Sequence, residues 1–111
     1  MDLTLSTYDV RGTWVVQVKG EVDVYTAPEL DAELTRLAEA GRFNVVVDLS
    51  RVDFLDSTGL GVLVKALKRT RENGGSLVVV ATADRITKVF RITGLDAAIP
   101  LYASVDDVWA D

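Results

Sequence analysis

The run Phe43-Asn44-Val45-Val46-Val47-Asp48-Leu49 is the most informative part of this chain for the fold class. Its three successive valines are apolar on both faces of an extended strand, as in strands of parallel sheets that helices cover on both sides. After Gly59 the apolar spacing becomes helical, at Leu60, Leu63 and Leu67. We therefore expect a buried β-strand followed by a loop and a helix, as in a parallel α/β sheet.

The residues before this run predict a hairpin. Residues 3–9 alternate weakly and residues 13–19 alternate clearly between apolar and polar side chains. The intervening Asp9-Val10-Arg11-Gly12 has the composition of a tight turn. We expect two antiparallel strands, the second with a single buried face that carries Trp14, Val16 and Val18.

Capping residues and apolar spacing predict three further helices. Thr26 can cap a helix that is entered through Pro28 and ends at Gly41. Asp84 can cap a short helix after an apolar strand at residues 77–81. Ser104 begins a last helix, with Asp107 at the capping-box position. The apolar residues expected to face inward from these helices are Leu30, Leu34, Leu37, Ile86, Val89, Phe90, Val105, Val108 and Trp109.

The predicted order is β-β-α-β-α-β-α, with a short strand at residues 99–102 before the last helix. Alternation after an opening hairpin implies an α/β fold with a mixed, mostly parallel β-sheet, an N-terminal β-hairpin and packed α-helices. The length of 111 residues suits one domain, and we expect residues 1–111 to form it.

The composition excludes several kinds of chemistry. The chain has no Cys and no His, so Cys nucleophiles, Ser-His pairs and most zinc sites are ruled out. We expect no metal, no cofactor and no catalytic residue. The 12 basic and 17 acidic residues give a net charge of −5, which disfavours direct binding to nucleic acid. No apolar run reaches the roughly 20 residues that span a membrane, and the N-terminus does not resemble a signal peptide. We expect a cytoplasmic protein whose partners are proteins.

The segment Asp53-Phe54-Leu55-Asp56-Ser57-Thr58-Gly59-Leu60-Gly61 joins the third predicted strand to the second helix. Such loops lie at the carboxyl ends of parallel strands, where sites are common. The segment lacks the patterns of a phosphate-binding loop, a dinucleotide-binding loop and a hydrolase elbow. Asp56 is well placed to cap the helix, which leaves the hydroxyl of Ser57 exposed and free. Phosphorylation there would add about −1.5 to −2 charges beside Asp56, and beside Asp23 if its loop is adjacent.

Three separated motifs resemble those of bacterial STAS-domain anti-sigma factor antagonists. Val46-Val47-Asp48-Leu49-Ser50 followed by residues 52–61 is similar to the family signature. Gly20-Glu21-Val22-Asp23 resembles the family's turn after the second strand, and Ile92-Thr93-Gly94-Leu95 resembles a later element. The three motifs occur in the family's order and span nearly the whole chain.

The resemblance implies a partner-switching function. It implies that an anti-sigma factor serine kinase, which brings its own ATP and Mg²⁺, phosphorylates Ser57, and that a metal-dependent serine phosphatase reverses this. The unphosphorylated protein would bind the kinase and free a sigma factor. Thr58, at a position where many members carry a second serine, is a weaker candidate for modification. The residues implied to contact the partner are Glu21, Asp23, Asp56, Ser57, Thr58, Gly59 and Gly61, with Gly59 and Gly61 permitting close approach of the partner.

A phospho-aspartate receiver, which could use Asp48, is discounted because the pair of acids and the lysine that a receiver needs are not visible. One other function and two interpretations of a basic run stay open. A STAS-domain scaffold, or a soluble subunit of a transport or signalling complex, would share the fold without the switch. The basic residues of the second helix suit its C-terminal dipole or form a partner-binding patch; these residues are Lys65, Lys68, Arg69 and Arg71.

Overall fold

The computed structural model describes residues 2–109. Its strands are β1 (Leu3–Val10), β2 (Thr13–Val22), β3 (Asn44–Leu55), β4 (Ser76–Val80) and β5 (Leu101–Tyr102). Its helices are α1 (Ala27–Glu39), α2 (Ser57–Glu72), α3 (Asp84–Thr93) and α4 (Val105–Val108), with a 3-10 turn at Leu95–Ala97. The predicted order of elements is therefore confirmed.

The five strands form one sheet in the order β1-β2-β3-β4-β5. β1 and β2 are antiparallel, and each of the other neighbouring pairs is parallel. Arg11 and Gly12 connect the hairpin with φ values of 53° and 87°, the left-handed conformation that a two-residue hairpin turn needs. The mixed, mostly parallel sheet with an N-terminal hairpin is thus confirmed.

The main core lies between one face of the sheet and helices α1 to α3. Leu30, Leu34 and Leu37 of α1 are buried there as predicted, and so are Ile86 and Phe90 of α3. The helical spacing of apolar residues predicted this burial correctly because each of these helices packs one face against the sheet.

The second face of the sheet has a smaller apolar cluster, as the valines on both faces of β3 predict. Val15, Val46 and Val80 are buried in it, and Val105 and Val108 of α4 pack against them. The expectation that β2 buries only one face was therefore wrong, because Val15 belongs to this second cluster. Trp109, expected to face inward, is exposed beyond the end of α4.

Several element ends also differ from the predictions. β3 continues to Leu55 because Val52 and Leu55 are still buried against the core. Thr26 stands at the cap position of α1 but makes no side-chain cap, and Ala83 rather than Asp84 precedes α3. Ser104 does cap α4, accepting a hydrogen bond from the Asp107 amide. No helix within residues 2–109 is long and apolar enough to cross a membrane.

Candidate functional site

The carboxyl ends of β2 and β3 bring two loops together. In the register of these parallel strands Glu21 lies beside Phe54 and Val22 beside Leu55. The amide of Asp56 donates a hydrogen bond to the carbonyl of Val22 at 3.2 Å. The β2–α1 loop and the start of α2 therefore leave the sheet next to each other, at the edge where α/β proteins usually place their sites.

Asp56 caps α2, as the sequence predicts. Its Oδ1 accepts hydrogen bonds from the amides of Thr58 at 2.9 Å and Gly59 at 3.2 Å. One carboxylate thus satisfies two of the free amides at the helix start. Ser57 is the first helical residue and is exposed, as is Thr58. Within residues 2–109 the Ser57 hydroxyl has no hydrogen-bond partner, so it contributes no hydrogen bond to the described fold.

Gly59 and Gly61 have different environments although they are two residues apart on α2. Gly59 is buried, and a Cβ atom there would lie 2.5 Å from Leu55 Cδ1 and 2.7 Å from Val22 Cγ1. The fold itself requires this glycine, because α2 begins in close contact with β2 and β3. Gly61 is exposed and a Cβ there would meet nothing within 4 Å. Of the two, only Gly61 offers open space at the surface.

Asp23 holds the β2–α1 loop in shape. Its Oδ1 accepts hydrogen bonds from the amides of Tyr25 and Thr26, each at 2.9 Å, while the Thr26 hydroxyl donates to the carbonyl of Glu21 at 2.7 Å. The Thr26 amide is the strongest influence that lowers the pKa of the Asp23 carboxyl; burial opposes it and the Tyr25 amide adds to it. Asp23 is only 7% exposed, so its carboxylate lies inside the loop. Its negative charge can affect a molecule at the surface without direct contact.

The same loop exposes apolar side chains that the sequence reasoning missed. Tyr25 is 85% exposed and Val24 is 58% exposed, on a loop that Asp23 keeps rigid. Phe54, near the end of the neighbouring strand β3, is 46% exposed. Exposed apolar side chains that cluster are a common mark of a protein interface. The sequence signal was two adjacent apolar residues placed between a turn-forming Asp23 and the predicted helix.

Two acidic residues adjoin Phe54, Glu21 as its register partner and Asp53 as its neighbour in sequence. Glu21 is half-buried at the end of β2, and Asp53 is exposed with Arg85 of α3 at 3.5 Å. An exposed pair of this kind contributes little to stability. Within the part of the chain that the structure describes, no three Asp or Glu side chains are grouped to hold a metal ion. The site therefore combines an exposed hydroxyl, exposed apolar side chains and nearby carboxylates.

The basic run of α2 mostly binds other parts of this chain. Lys65 pairs with Asp31 of α1 at 3.0 Å, and Arg69 donates to the Thr35 hydroxyl at 3.3 Å. Arg71 donates at 2.7 Å to a backbone carbonyl that follows the 3-10 turn. An open groove of about 460 Å³ runs along this helix, but side chains of α2 alone line it. These contacts favour the structural interpretation of the run.

Asp48 is poorly placed to be the phospho-acceptor of a receiver. It lies in the middle of β3, is 4% exposed, and accepts a hydrogen bond from the Ser50 amide. An acceptor must be reached by the phosphoryl donor, and this carboxylate is covered. Of the two groups, only Ser57 is exposed to solvent.

The family model described as the STAS domain matches residues 4–108. The anti-sigma-B factor antagonist of Staphylococcus aureus is 41% identical over 95 residues, which are 86% of this chain and 88% of that protein. A crystal structure of an anti-sigma factor antagonist from Mycobacterium paratuberculosis is 35% identical. It has a TM-score of 0.89 and covers 96% of this chain and 90% of that one.

A structure of the Bacillus cell fate determinant SpoIIAA in its phosphorylated form has a TM-score of 0.74 at 19% identity. It covers 95% of this chain and 96% of that one, and at this identity it shows a shared fold. The residues matched by the family model include both motifs, at residues 20–23 and 52–61. This chain therefore belongs to the STAS-domain family of anti-sigma factor antagonists.

Proposed function

We propose that this chain binds an anti-sigma factor serine kinase while Ser57 is unmodified, and thereby frees a sigma factor. The observation that carries the proposal is the Ser57 hydroxyl at the start of α2, exposed and without a hydrogen-bond partner among residues 2–109. The neighbouring carboxylate of Asp56 is already engaged with two backbone amides. The protein acts in the cytoplasm, where the kinase draws on ATP.

In the proposed reaction this chain is a substrate rather than an enzyme. Ser57 Oγ attacks the γ-phosphorus of ATP held by the kinase. A bond forms between Oγ and phosphorus, and the bond from phosphorus to the ADP oxygen breaks. The serine proton passes to a base of the kinase, since this chain has no histidine to take it. ATP and Mg²⁺ belong to the kinase, and this chain needs no cofactor of its own.

Phosphorylation changes the surface more than the fold. A phosphate on Ser57 adds about −1.5 to −2 charges at the positive end of the α2 dipole, where an anion is tolerated. A partner packed on Val24, Tyr25 and Phe54 would have to strip water from that phosphate. Burial of an unpaired charge is costly, so the kinase is released. A metal-dependent serine phosphatase then hydrolyses the phosphoserine to inorganic phosphate and a free hydroxyl.

Intact-mass measurement with the cognate anti-sigma factor kinase, ATP and Mg²⁺ tests the assignment of the acceptor. We expect the native protein to gain one phosphoryl group, Ser57→Ala to gain none, and Thr58→Ala to behave like the native protein. Thr58 is the matched control because it is also an exposed hydroxyl residue, one position along the same helix. Phosphate on Ser57→Ala, or none on the native protein, would refute the proposal.

Introducing a negative charge at Ser57 by mutation tests the release step separately from phosphorylation. Ser57→Asp should weaken binding to the kinase, whereas Ser76→Asp should not. Ser76 is exposed at the start of β4, beside Asn44 at the start of β3, and so lies at the opposite end of the sheet from Ser57. If both variants bind like the native protein, the electrostatic step is wrong. The scaffold alternative would then stand, because a scaffold binds its partner whatever the state of Ser57.

A further inference from the structure

β1 is an edge strand with a long, free side. It runs for eight residues and pairs with β2 in a continuous register, and within residues 2–109 no strand pairs with its outer side. The strand at the other edge, β5, has only two residues. Proteins usually shorten, charge or bend exposed edges to prevent pairing. One edge of this sheet is shortened in that way, and the β1 edge is not.

The β1 edge lacks the residues that discourage strand pairing. From Leu3 to Tyr8 it contains no charged residue and no proline, and its register with β2 shows no shift. The Thr7 hydroxyl donates a hydrogen bond to Glu33, which ties the strand to α1. Tyr8 is 40% exposed on the opposite face of the strand. This edge is regular, and from Leu3 to Tyr8 it carries nothing that would prevent another strand from pairing with it.

The hairpin turn decides which backbone groups point outward. Val10 and Thr13 flank the two-residue turn and form a hydrogen-bonded pair, so alternate residues of β1 bond to β2. Asp2 follows the same alternation, because its carbonyl accepts from the Glu21 amide at 3.3 Å. The amides and carbonyls that point away from β2 are therefore those of Leu3, Leu5, Thr7 and Asp9.

We propose that β1 pairs antiparallel with β1 of a second copy of this chain, with Ser6 opposite Ser6 on the two-fold axis. This register places Leu5 opposite Thr7 and Leu3 opposite Asp9, so all four outward-facing residues of each strand find a partner. Thr4 lies opposite Tyr8 of the other copy. No like charges lie opposite each other, which would be destabilising. When β1 pairs with its own copy about Ser6, every outward-facing residue finds a partner. A second copy of this chain therefore fits this edge better than an unrelated strand.

A substitution at Ser6 tests this register directly, because the Ser6 residues of the two copies would form the central non-hydrogen-bonded pair. The Cα atoms of such a pair are about 4.5 Å apart, which is within the range that a disulfide can bridge. The chain has no cysteine, so Ser6→Cys introduces a single thiol. Ser76→Cys is the matched control, since Ser76 is also an exposed serine of a strand but lies on β4 inside the sheet.

Sedimentation velocity of the native protein should show a concentration-dependent dimer. Mild oxidation should cross-link Ser6→Cys quickly and Ser76→Cys only at the rate of random collision. Ser6→Lys would place two lysines face to face, and we expect it to sediment as a folded monomer. A native protein that stays monomeric at every concentration would overturn the proposal, and so would equal cross-linking of the two cysteine variants. A dimer that survives Ser6→Lys would overturn it as well.

Discussion

Alanine at Gly59 and at Gly61 should change the stability of the protein in opposite directions. Both glycines lie in the first two turns of α2, so the substitution and the helix are the same in both cases. At Gly59 the new methyl group would lie 2.7 Å from Val22 Cγ1 and 2.5 Å from Leu55 Cδ1, well inside contact distance. At Gly61 it would meet nothing within 4 Å.

The expected magnitudes follow from these surroundings. Overpacking of a filled core costs about 1–3 kcal/mol, and the stiff side chain of Val22 has little freedom to move aside. Alanine recovers at most about 1 kcal/mol of helix propensity. We therefore expect Gly59→Ala to lower the free energy of unfolding by about 1–2 kcal/mol. Gly61→Ala should raise it by about 0.4–1 kcal/mol, because alanine restricts the unfolded chain and fits the helix without strain.

Urea unfolding at neutral pH, followed by far-UV circular dichroism, measures both changes in one series. The midpoint should fall for Gly59→Ala and rise for Gly61→Ala, with unchanged slopes. A shift of both midpoints in the same direction would refute the assignment of Gly59 to close packing and of Gly61 to open surface. In that case the start of α2 would lie elsewhere on the sheet, and the position of Ser57 would change with it.

Three further predictions concern the loops around Ser57. Asp56→Ala should lower the free energy of unfolding by about 0.5–2 kcal/mol, while Asp56→Ser keeps a cap and loses less; equal losses in urea unfolding would contradict the capping role. Asp23→Asn should be less stable than the native protein at pH 7, and by a smaller margin at pH 3. The lowered pKa means that the native carboxylate stabilises the fold above its ordinary pKa of 3.8 and loses this effect as the pH falls through its folded pKa. The same gap in thermal unfolding at both pH values would argue against this. Tyr25→Ala should change stability by less than about 0.5 kcal/mol yet weaken binding to the anti-sigma factor kinase, and unchanged affinity would remove Tyr25 from the docking surface.

Much of the fold follows from local patterns in the sequence. The triple valine at residues 45–47 and the leucines of α1 depend only on strand and helix periodicity, and both were predicted correctly. Burial of Val15 depends on an apolar cluster built from other strands and from the short α4, which are distant in sequence. Periodicity within β2 carries no information about such a contact, which is why the prediction of a single buried face failed.

The candidate site shows the same division between local and tertiary effects. The cap by Asp56 was predictable because it joins residues two and three positions apart. Asp23 and Thr26 are also three apart and resemble a helix cap, but their hydrogen bonds close a loop before the helix instead. The exposure of Tyr25 and Phe54 could not be predicted, because apolar side chains are usually assigned to a core. Only the position of the β2–α1 loop beside β3 shows them to be at the surface.

The central claim is that phosphorylation of Ser57 controls binding to the anti-sigma factor kinase. Isothermal titration of the kinase with unmodified protein and with Ser57-phosphorylated protein, at the same ionic strength, tests it most directly. We expect at least a tenfold loss of affinity on phosphorylation, since about 1.4 kcal/mol of charge and desolvation cost is enough for that change. Equal affinity of the two forms would contradict the claim.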